Sequence, residues 1–567
     1  MSVVAACTGG SNKPLTTTSV TTAPAPTFNQ GGSITVAAEG EPGCMDWIST
    51  CAGSTWGVWT VETNTMPRAY DFTSDGEYKP SILLTGEAAV RMTPEQVVTY
   101  HLNPRASWSD GQPITSQDFQ YTWDQIAHGQ GIADQSGYSD IVSVDDSDPL
   151  TAVVTFSQPY ADWRKLFGGT DGILPSHLLE GQDRDALMKD GYTWSGGPWE
   201  LPPGGWIRGE SITLVPNPNY WGKKPDLGSV TFRIFTDPTA ELQAYAAGQV
   251  LAAYPTPEAA VAGYRGVAGT LLSLTGGLDF DALWFNVAAA PVDAKAVRQA
   301  VAYTLDRQTI ASALLGALEP TAQPLQSLLT PAYGAYYNAA FARYKPDPAM
   351  VNQLMTGAGW ARNKAGFWAM GATRAEVATI DLKVPSTSPG AEAAANVIGA
   401  ELQGAGFQVT IAPPETPGQL FTQDLPAGAF SVALYPVDLE RELPSGTPTT
   451  VGVPGIDDND PGQCQLFCSA SIPTAATGGV GDNYVRLADS TLDRYLEDLD
   501  SNANSDDRVA DAAQAATILA DDLPALPLVT LPDVLVVNTN MIGVEGGTFN
   551  HNLAYGPYGE LNEWYLK

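Results

Sequence analysis

Cationic side chains are scarce in this chain: 28 lysines and arginines stand against 62 aspartates and glutamates, a formal net charge of −34. Such a surface repels phosphate backbones, which excludes nucleic acid as a partner. The same charge serves as a solubilising shell or draws cationic ligands. Histidine is scarcer still. The four present are His101, His128, His177 and His551, and neither H-E-x-x-H nor G-x-S-x-G occurs. Metalloprotease and serine-hydrolase chemistry therefore has no carrier, and no enzyme is expected. Asp145 and Asp146 read as turn acids. Asp457-Asp458-Asn459-Asp460 has a calcium-loop look, but Pro461-Gly462 breaks the order and Cys468 stands at the twelfth position. No cofactor or metal is expected. No run approaches the roughly 20 apolar residues a membrane-spanning helix needs.

Cysteine is also rare, with five residues. Cys7 closes the stretch Val4-Ala5-Ala6-Cys7, which looks like the end of a signal peptide cut just before a cysteine. It is the expected lipid anchor, and the only expected link to a membrane. The other four fall in two local pairs, Cys44 with Cys51 and Cys464 with Cys468. In an exported protein these read as two short-loop disulfides, although three connectivities are formally possible. Metal-bound thiols are the competing reading, weakened by the lack of C-x2-C spacing or nearby histidines.

What is present is ample material for globular cores. With 567 residues, 44% of them hydrophobic, the chain exceeds one ordinary core and predicts two or three packed units. Residues 8–31 are rich in Thr, Pro, Gly and Ser and predict a spacer. Order is expected to begin at Ile34-Thr35-Val36. Val97 to Leu102 alternates as a half-buried strand, and Asp110-Gly111 makes a tight turn. A helix follows with Ser116 as its N-cap, and Thr151 to Phe156 forms a strand after a turn at Asp145 to Pro149. Leu283 to Asn286 reads as a short strand before a helix from about Asp293, with Val297, Ala300, Val301, Thr304 and Leu305 on one face. Asp306 caps a further helix ending at Gly316. Strands at Ile380 to Val384 and Gln408 to Ile411 flank an Ala-rich helix near 391–406, a βαβ pattern. After Ser505 a helix carries the stripe Val509, Ala512, Ala513, Ala516, Ala520 and Leu523, stopped by Pro524. Leu526 to Val529 and Val534 to Val537 are strand-like and return the chain toward its beginning.

Six segments then appear in a telling order. They are Trp108-Ser109-Asp110-Gly111-Gln112-Pro113 leading to Asp118-Phe119; Gly196-Gly197-Pro198-Trp199; Asn217-Pro218-Asn219-Tyr220-Trp221-Gly222; Phe285-Asn286 with Val297-Arg298-Gln299-Ala300 and Leu305-Asp306-Arg307; Ala358-Gly359-Trp360; and Leu523-Pro524-Ala525-Leu526-Pro527-Leu528. In that order the chain resembles the family 5 extracellular solute-binding proteins, the dipeptide- and oligopeptide-binding components of ABC importers. Gly196 and Trp199 depart from the family's usual element.

The resemblance implies an α/β, two-lobed periplasmic-binding-protein-like (type II) fold with three subdomains and a discontinuous first lobe. The expected division is a lipobox remnant and spacer over 1–31, lobe I over 32–278 in two subdomains, lobe II over 279–530, and a return to lobe I over 531–567. The hinge is expected near 275–282 and 528–535. A peptide or peptide-like molecule would be enclosed between the lobes and passed to permease subunits, outside the cytoplasmic membrane, by a monomer. Closure requires a ligand that prefers the closed state. In relatives a carboxylate of the second lobe meets the peptide's amino group. The matching stretch here is Ala433 to Asp438, which makes Asp438 the candidate amine partner, with Glu440 as the alternative, and places Tyr435 beside it. Pro436 and Leu439 depart from the pattern, and Pro436 lacks an N–H for β-type pairing. Trp284 and Asn286 are candidates from the crossing, with burial beneath the hinge as the competing role for Trp284. Glu41, Trp56 and Trp59 are candidates from the first lobe, where core packing competes for the tryptophans. The two cysteine loops would stiffen opposite rims. A non-peptide ligand (specialised metabolite, glycan, metal chelate or haem) and a surface sensor are the rival readings.

Overall fold

The computed structural model describes residues 31–52, 58–72, 78–132, 135, 137–168, 172–385, 389–416, 419–437, 463–474, 481–502, 504–549 and 556–567. Cys7, Trp56, Asp438 and Glu440 lie outside them, as does the side chain of Trp59.

The strand Ser33–Ala38 opens the fold at the predicted β-prone run, with Ile34 and Val36 buried. It pairs in parallel with Ser229–Ile234 and with Ala252–Ala253. Ala252–Ala253 pairs with the end of the long strand Ala525–Asn538, which lies antiparallel to a second long strand, Thr270–Phe285. Thr270–Phe285 then pairs with Val432–Val437, and Thr379–Lys383 and Gln408–Ile411 complete the sheet in parallel register. One sheet thus runs through the molecule, with the two long strands at its middle. A separate four-stranded antiparallel sheet contains Val97–His101, Ile141–Asp148 and Thr151–Phe156.

Apolar side chains gather in two large cores. One is drawn from residues between Ile34 and Tyr254 and again between Leu535 and Trp564; the other lies wholly between Leu278 and Val529. A smaller cluster joins Phe235, Tyr245, Leu318, Val534 and Val536, under the long strands. The first core is discontinuous because only the two long strands connect it with the second.

The recurrent segments do scaffold work. Trp108 is fully buried, and its indole N–H donates to Asp118 Oδ2 (3.3 Å), which also accepts the Thr115 N–H (2.8 Å). The helix Ser116–His128 is therefore capped by Thr115 and not by Ser116, whose hydroxyl instead donates to the carbonyls of Asp146 and Asp148. Asn217 Nδ2 donates to the Gly197 carbonyl (3.0 Å), and a Cβ at Gly197 would meet the Asn64 carbonyl oxygen, so this junction admits only glycine. Arg298 and Arg307 donate mostly to main-chain carbonyls, including Asp522 and Leu523 just before the return strand and Pro527 within it.

Two further expectations change. Asp145 to Asp148 belong to the strand Ile141–Asp148, whose hairpin absorbs a register shift there, so the turn is confined to Pro149 and Leu150. The two short strands expected after Pro524 are one 14-residue strand, and the short run at Leu283 is the end of a 16-residue one. Polar or partly exposed residues interrupt both sequences where they pass between the cores, which hides the continuity. Of the helices Lys295–Ala302, Arg307–Leu315, Pro389–Gly404 and Ser505–Asp522, the last three stand where the periodicity places them; the first carries Val297, Ala300 and Val301 but ends before Thr304 and Leu305, expected on the same face. Asp306 caps the second of these by accepting from Gln308 and Thr309 N–H, and Asn504 caps the last in the same manner.

Candidate ligand-binding cleft

The two long strands pair regularly from Thr270 opposite Asn538 to Gly276 opposite Pro532. Pairing then breaks, resumes with Phe280 opposite Thr530 and Asp281 opposite Val529, and shifts once more before Ala282 opposite Pro527. Thr530, Leu531 and Asp533 are only partly buried, unlike most of that strand. A ladder with bulges, few buried side chains and a core on each side is where two packed bodies rotate most easily.

The cores also touch away from these strands. Arg508, near the start of the helix Ser505–Asp522, donates from Nη1 to Asp162 Oδ1 (3.0 Å) and from Nη2 to Oδ2 (3.4 Å). Asp162 precedes Trp163 of the first core, while Arg508 leads the face that buries Ala512, Ala515 and Leu519 in the second. Closer to the crossing, the Tyr254 hydroxyl donates to Asp533 Oδ1 (2.9 Å).

Trp284 and Tyr435 are brought together. Their rings stack 5.2 Å apart and nearly parallel, and the Trp284 indole N–H donates to the Tyr435 carbonyl (3.0 Å). Phe280, Phe421 and Phe467 complete an aromatic layer around them, so both residues lie in the second core. Burial pushes the Tyr435 phenol far above its ordinary value. Asn286 is committed as well: Nδ2 donates to the carbonyls of Gly428 (3.1 Å) and Phe430 (3.0 Å), and Oδ1 accepts the Ala288 N–H (3.1 Å). Glu41 lies in the first core's rim, accepting from the Trp206 indole N–H (2.9 Å) and from Gly209 N–H. Each of these four positions thus has a structural occupation in the ligand-free protein.

Both cysteine pairs form disulfides, Cys44–Cys51 with Cα atoms 5.6 Å apart and Cys464–Cys468 with 4.7 Å. The first closes a loop beside a small, water-sized cavity lined by Pro42, Met45, Trp47, Val61 and Tyr192. Beneath it Asp46 Oδ2 receives Arg184 Nε at 2.9 Å, and burial raises the Asp46 carboxyl to about 6 despite that cation.

One residue that the sequence reading passed over stands out. Asp281 is only 6% exposed and sits opposite Pro436, two positions before Asp438. Its signal in the sequence is a pair of acids, Asp279 and Asp281, within the otherwise apolar run Leu278 to Phe285. Arg508 had a comparable signal, a cation heading an apolar helical stripe; its partner, 346 residues away, had none.

Residues 89–438 match the family described as bacterial extracellular solute-binding proteins, family 5 Middle. The chain belongs to this family. The oligopeptide-binding protein OppA of Mycobacterium tuberculosis is 31% identical over 312 residues, 53% of this chain and 52% of OppA. The chain spans about half the length of the curated relatives it matches. Among solved structures, the periplasmic EDTA-binding protein EppA superposes with a TM-score of 0.80 at 22% identity, over 95% of this chain and 97% of EppA. The oligopeptide-binding protein AppA from Bacillus subtilis, solved with a nonapeptide, gives 0.71 at 17% identity, over 95% and 100%. At such identities the likeness is one of fold: this family 5 protein has the two-lobed α/β architecture with a discontinuous first lobe. Among its described residues no helix is long and apolar enough to cross a membrane.

Proposed function

We propose that this family 5 protein captures a peptide or peptide-like solute outside the cytoplasmic membrane, by closure of two lobes, and delivers it to an ABC permease. The observation that carries this reading is the crossing itself, two long strands whose pairing breaks between Gly276 and Phe280 while separate cores pack on either side. On this reading lobe I comprises residues 32–278 and 531–567, lobe II residues 279–530, and the ligand lies between them. The lipid at Cys7 and the spacer over 1–31 tether a monomeric binding protein, and the protein has no catalytic step of its own. Asp438 meets the amino group of the ligand. Its neighbour strand supports this, because among the described residues the edge of Leu434 to Val437 facing Thr379–Lys383 has no paired strand beyond Ala433. An extended peptide is recognised by adding to such an edge.

A second reading, a non-peptide solute, is favoured by Pro436. Asn286 N–H donates to the Ser431 carbonyl, and by alternation Pro436 turns its main chain to the open edge, where it has no N–H to offer. Calorimetry with di- to nonapeptides, together with small-angle scattering, separates the two. Micromolar peptide binding, about −8 kcal/mol, with contraction of the particle supports peptide capture. Saturating peptides that give neither heat nor contraction refute it.

A further inference from the structure

The crossing strand Thr270–Phe285 buries an acid that nothing in the fold explains. Asp281 is 6% exposed, and among the described residues no lysine, arginine, histidine or hydrogen-bond donor pairs with its carboxylate. Other buried acids of the fold have partners: Asp162 holds Arg508, Asp46 holds Arg184, and Glu241 accepts the Tyr264 hydroxyl. An isolated carboxylate taken out of water costs several kcal/mol unless a cation or donors replace the lost hydration. Desolvation alone pushes its carboxyl up to about 7. A leucine or threonine would fill the same strand position without that cost.

The surroundings of Asp281 are those of the cleft. Its cross-strand partner on one side is Pro436, the one residue of Val432–Val437 that is not fully buried, and cross-strand partners share a face. On the other side it faces Val529, and alternation along the return strand places Leu531 and Asp533, both partly exposed, on that face as well. The face is therefore open toward the gap between the cores. Asp281 and Asp533 lie on it, with Asp279 two positions before Asp281 in the same strand, and among the described residues no cation pairs with Asp281.

We propose that Asp281 binds a positively charged group of the ligand, an ammonium or a guanidinium, at the crossing, so that the solute taken by this protein is cationic at that end. The inference rests on the reading of the protein as a solute-binding protein and deepens it. A cation seated there supplies the missing charge and touches the hinge strand itself. It stabilises the closed form more than the open one, which is what a closing ligand must do. The fold's excess of acidic residues raises the local concentration of such solutes before capture.

Isothermal calorimetry on the full chain tests this with pentaalanine, N-acetyl-pentaalanine, N-acetyl-pentaalanine bearing a central lysine, and the amines agmatine and putrescine. Wild type and Asp281→Asn are compared, with Asp281→Ala as a second variant and circular dichroism as the check of folding. The expected result is at least a tenfold loss of affinity in both variants for the probes that carry a cation, with N-acetyl-pentaalanine, which carries none, unchanged. Loss confined to free-amine pentaalanine assigns the α-ammonium; loss confined to the lysine peptide assigns a side-chain cation. Unaltered affinities in both variants, or equal loss for probes with and without a cation, overturn the proposal. If peptides fail to bind wild type while an amine binds in an Asp281-dependent manner, the peptide reading falls and this one stands. If no probe binds wild type, both fall.

Discussion

Arg508 and Asp162 form an ion pair across the two cores, 3% and 2% exposed in their side chains, far in sequence from the crossing strands. A pair so enclosed exists only while the cores are together, because opening would return both charges to water. It therefore adds to the stability of this arrangement of the two cores. Asp162→Asn takes away the charge that faces the Arg508 guanidinium in this pair. Breaking such a buried pair costs about 3–5 kcal/mol. The expected outcome is a ligand-free particle with a larger radius of gyration in small-angle scattering and weaker ligand binding, with little response to added salt. A double substitution, Asp162→Leu with Arg508→Met, should restore much of the compactness. If the single variant scatters like wild type, the pair does not hold the cores together.

The Asn286 side chain serves three main-chain groups inside the second core. Asn286→Ala leaves the Gly428 and Phe430 carbonyls and the Ala288 N–H without it, and each buried orphan costs about 1–3 kcal/mol. A loss of stability of about 2–4 kcal/mol in urea unfolding is expected, with ligand affinity changed less than threefold. An affinity loss larger than the stability loss would instead make Asn286 a ligand contact.

Acidity should stabilise the ligand-free protein. Burial raises Asp281 and Glu241 to about 7, from ordinary values near 4. Between those limits the folded chain holds protons that the unfolded chain has released, so stability present below about pH 4 is lost as pH rises through about 7. Thermal melting should show a lower midpoint at about pH 8 than at about pH 5.5, and Asp281→Asn should flatten this slope by an amount on the order of a few kcal/mol. A midpoint that rises over this interval, or a variant with the wild-type slope, contradicts the assignment.

Reduction offers a further test. The Cys44–Cys51 disulfide closes a short loop on the first core's rim, and loops of that size contribute about 2–3 kcal/mol through the unfolded chain. Cys44→Ser with Cys51→Ser should lower the melting midpoint by a few degrees and weaken binding modestly, since the rim is no longer ordered beforehand. Reductant should lower the midpoint of wild type at least as much, and whatever it still removes from the double variant reports the Cys464–Cys468 bridge.

Much of the fold could be read in the sequence. The helix stripes between Val297 and Leu523, the caps at Asp306 and the turn at Gly111 are local features. They depend on spacings of three or four residues and on the conformational tolerance of single side chains, which survive without tertiary context. The long crossing strands were legible only at their ends. Their middles are partly exposed and polar, and only their mutual pairing shows that each is continuous. The cap at Thr115 was misread by one residue, because Thr115 and Ser116 are both good capping types and Asp118's hydrogen bond decides between them.

The site divides in the same way. The sequence by itself determined the family, the two local cysteine pairs and the acidic character of the chain, since ordered motifs, short spacings and composition need no partner to be read. Only the tertiary structure decided that Trp284, Tyr435 and Asn286 pack the second core, that Arg508 meets Asp162, and that Asp281 has no partner among the described residues. The physical reason is that burial and charge pairing are properties of contacts between residues hundreds of positions apart. A one-dimensional pattern shows that a charge is out of place and not what it meets.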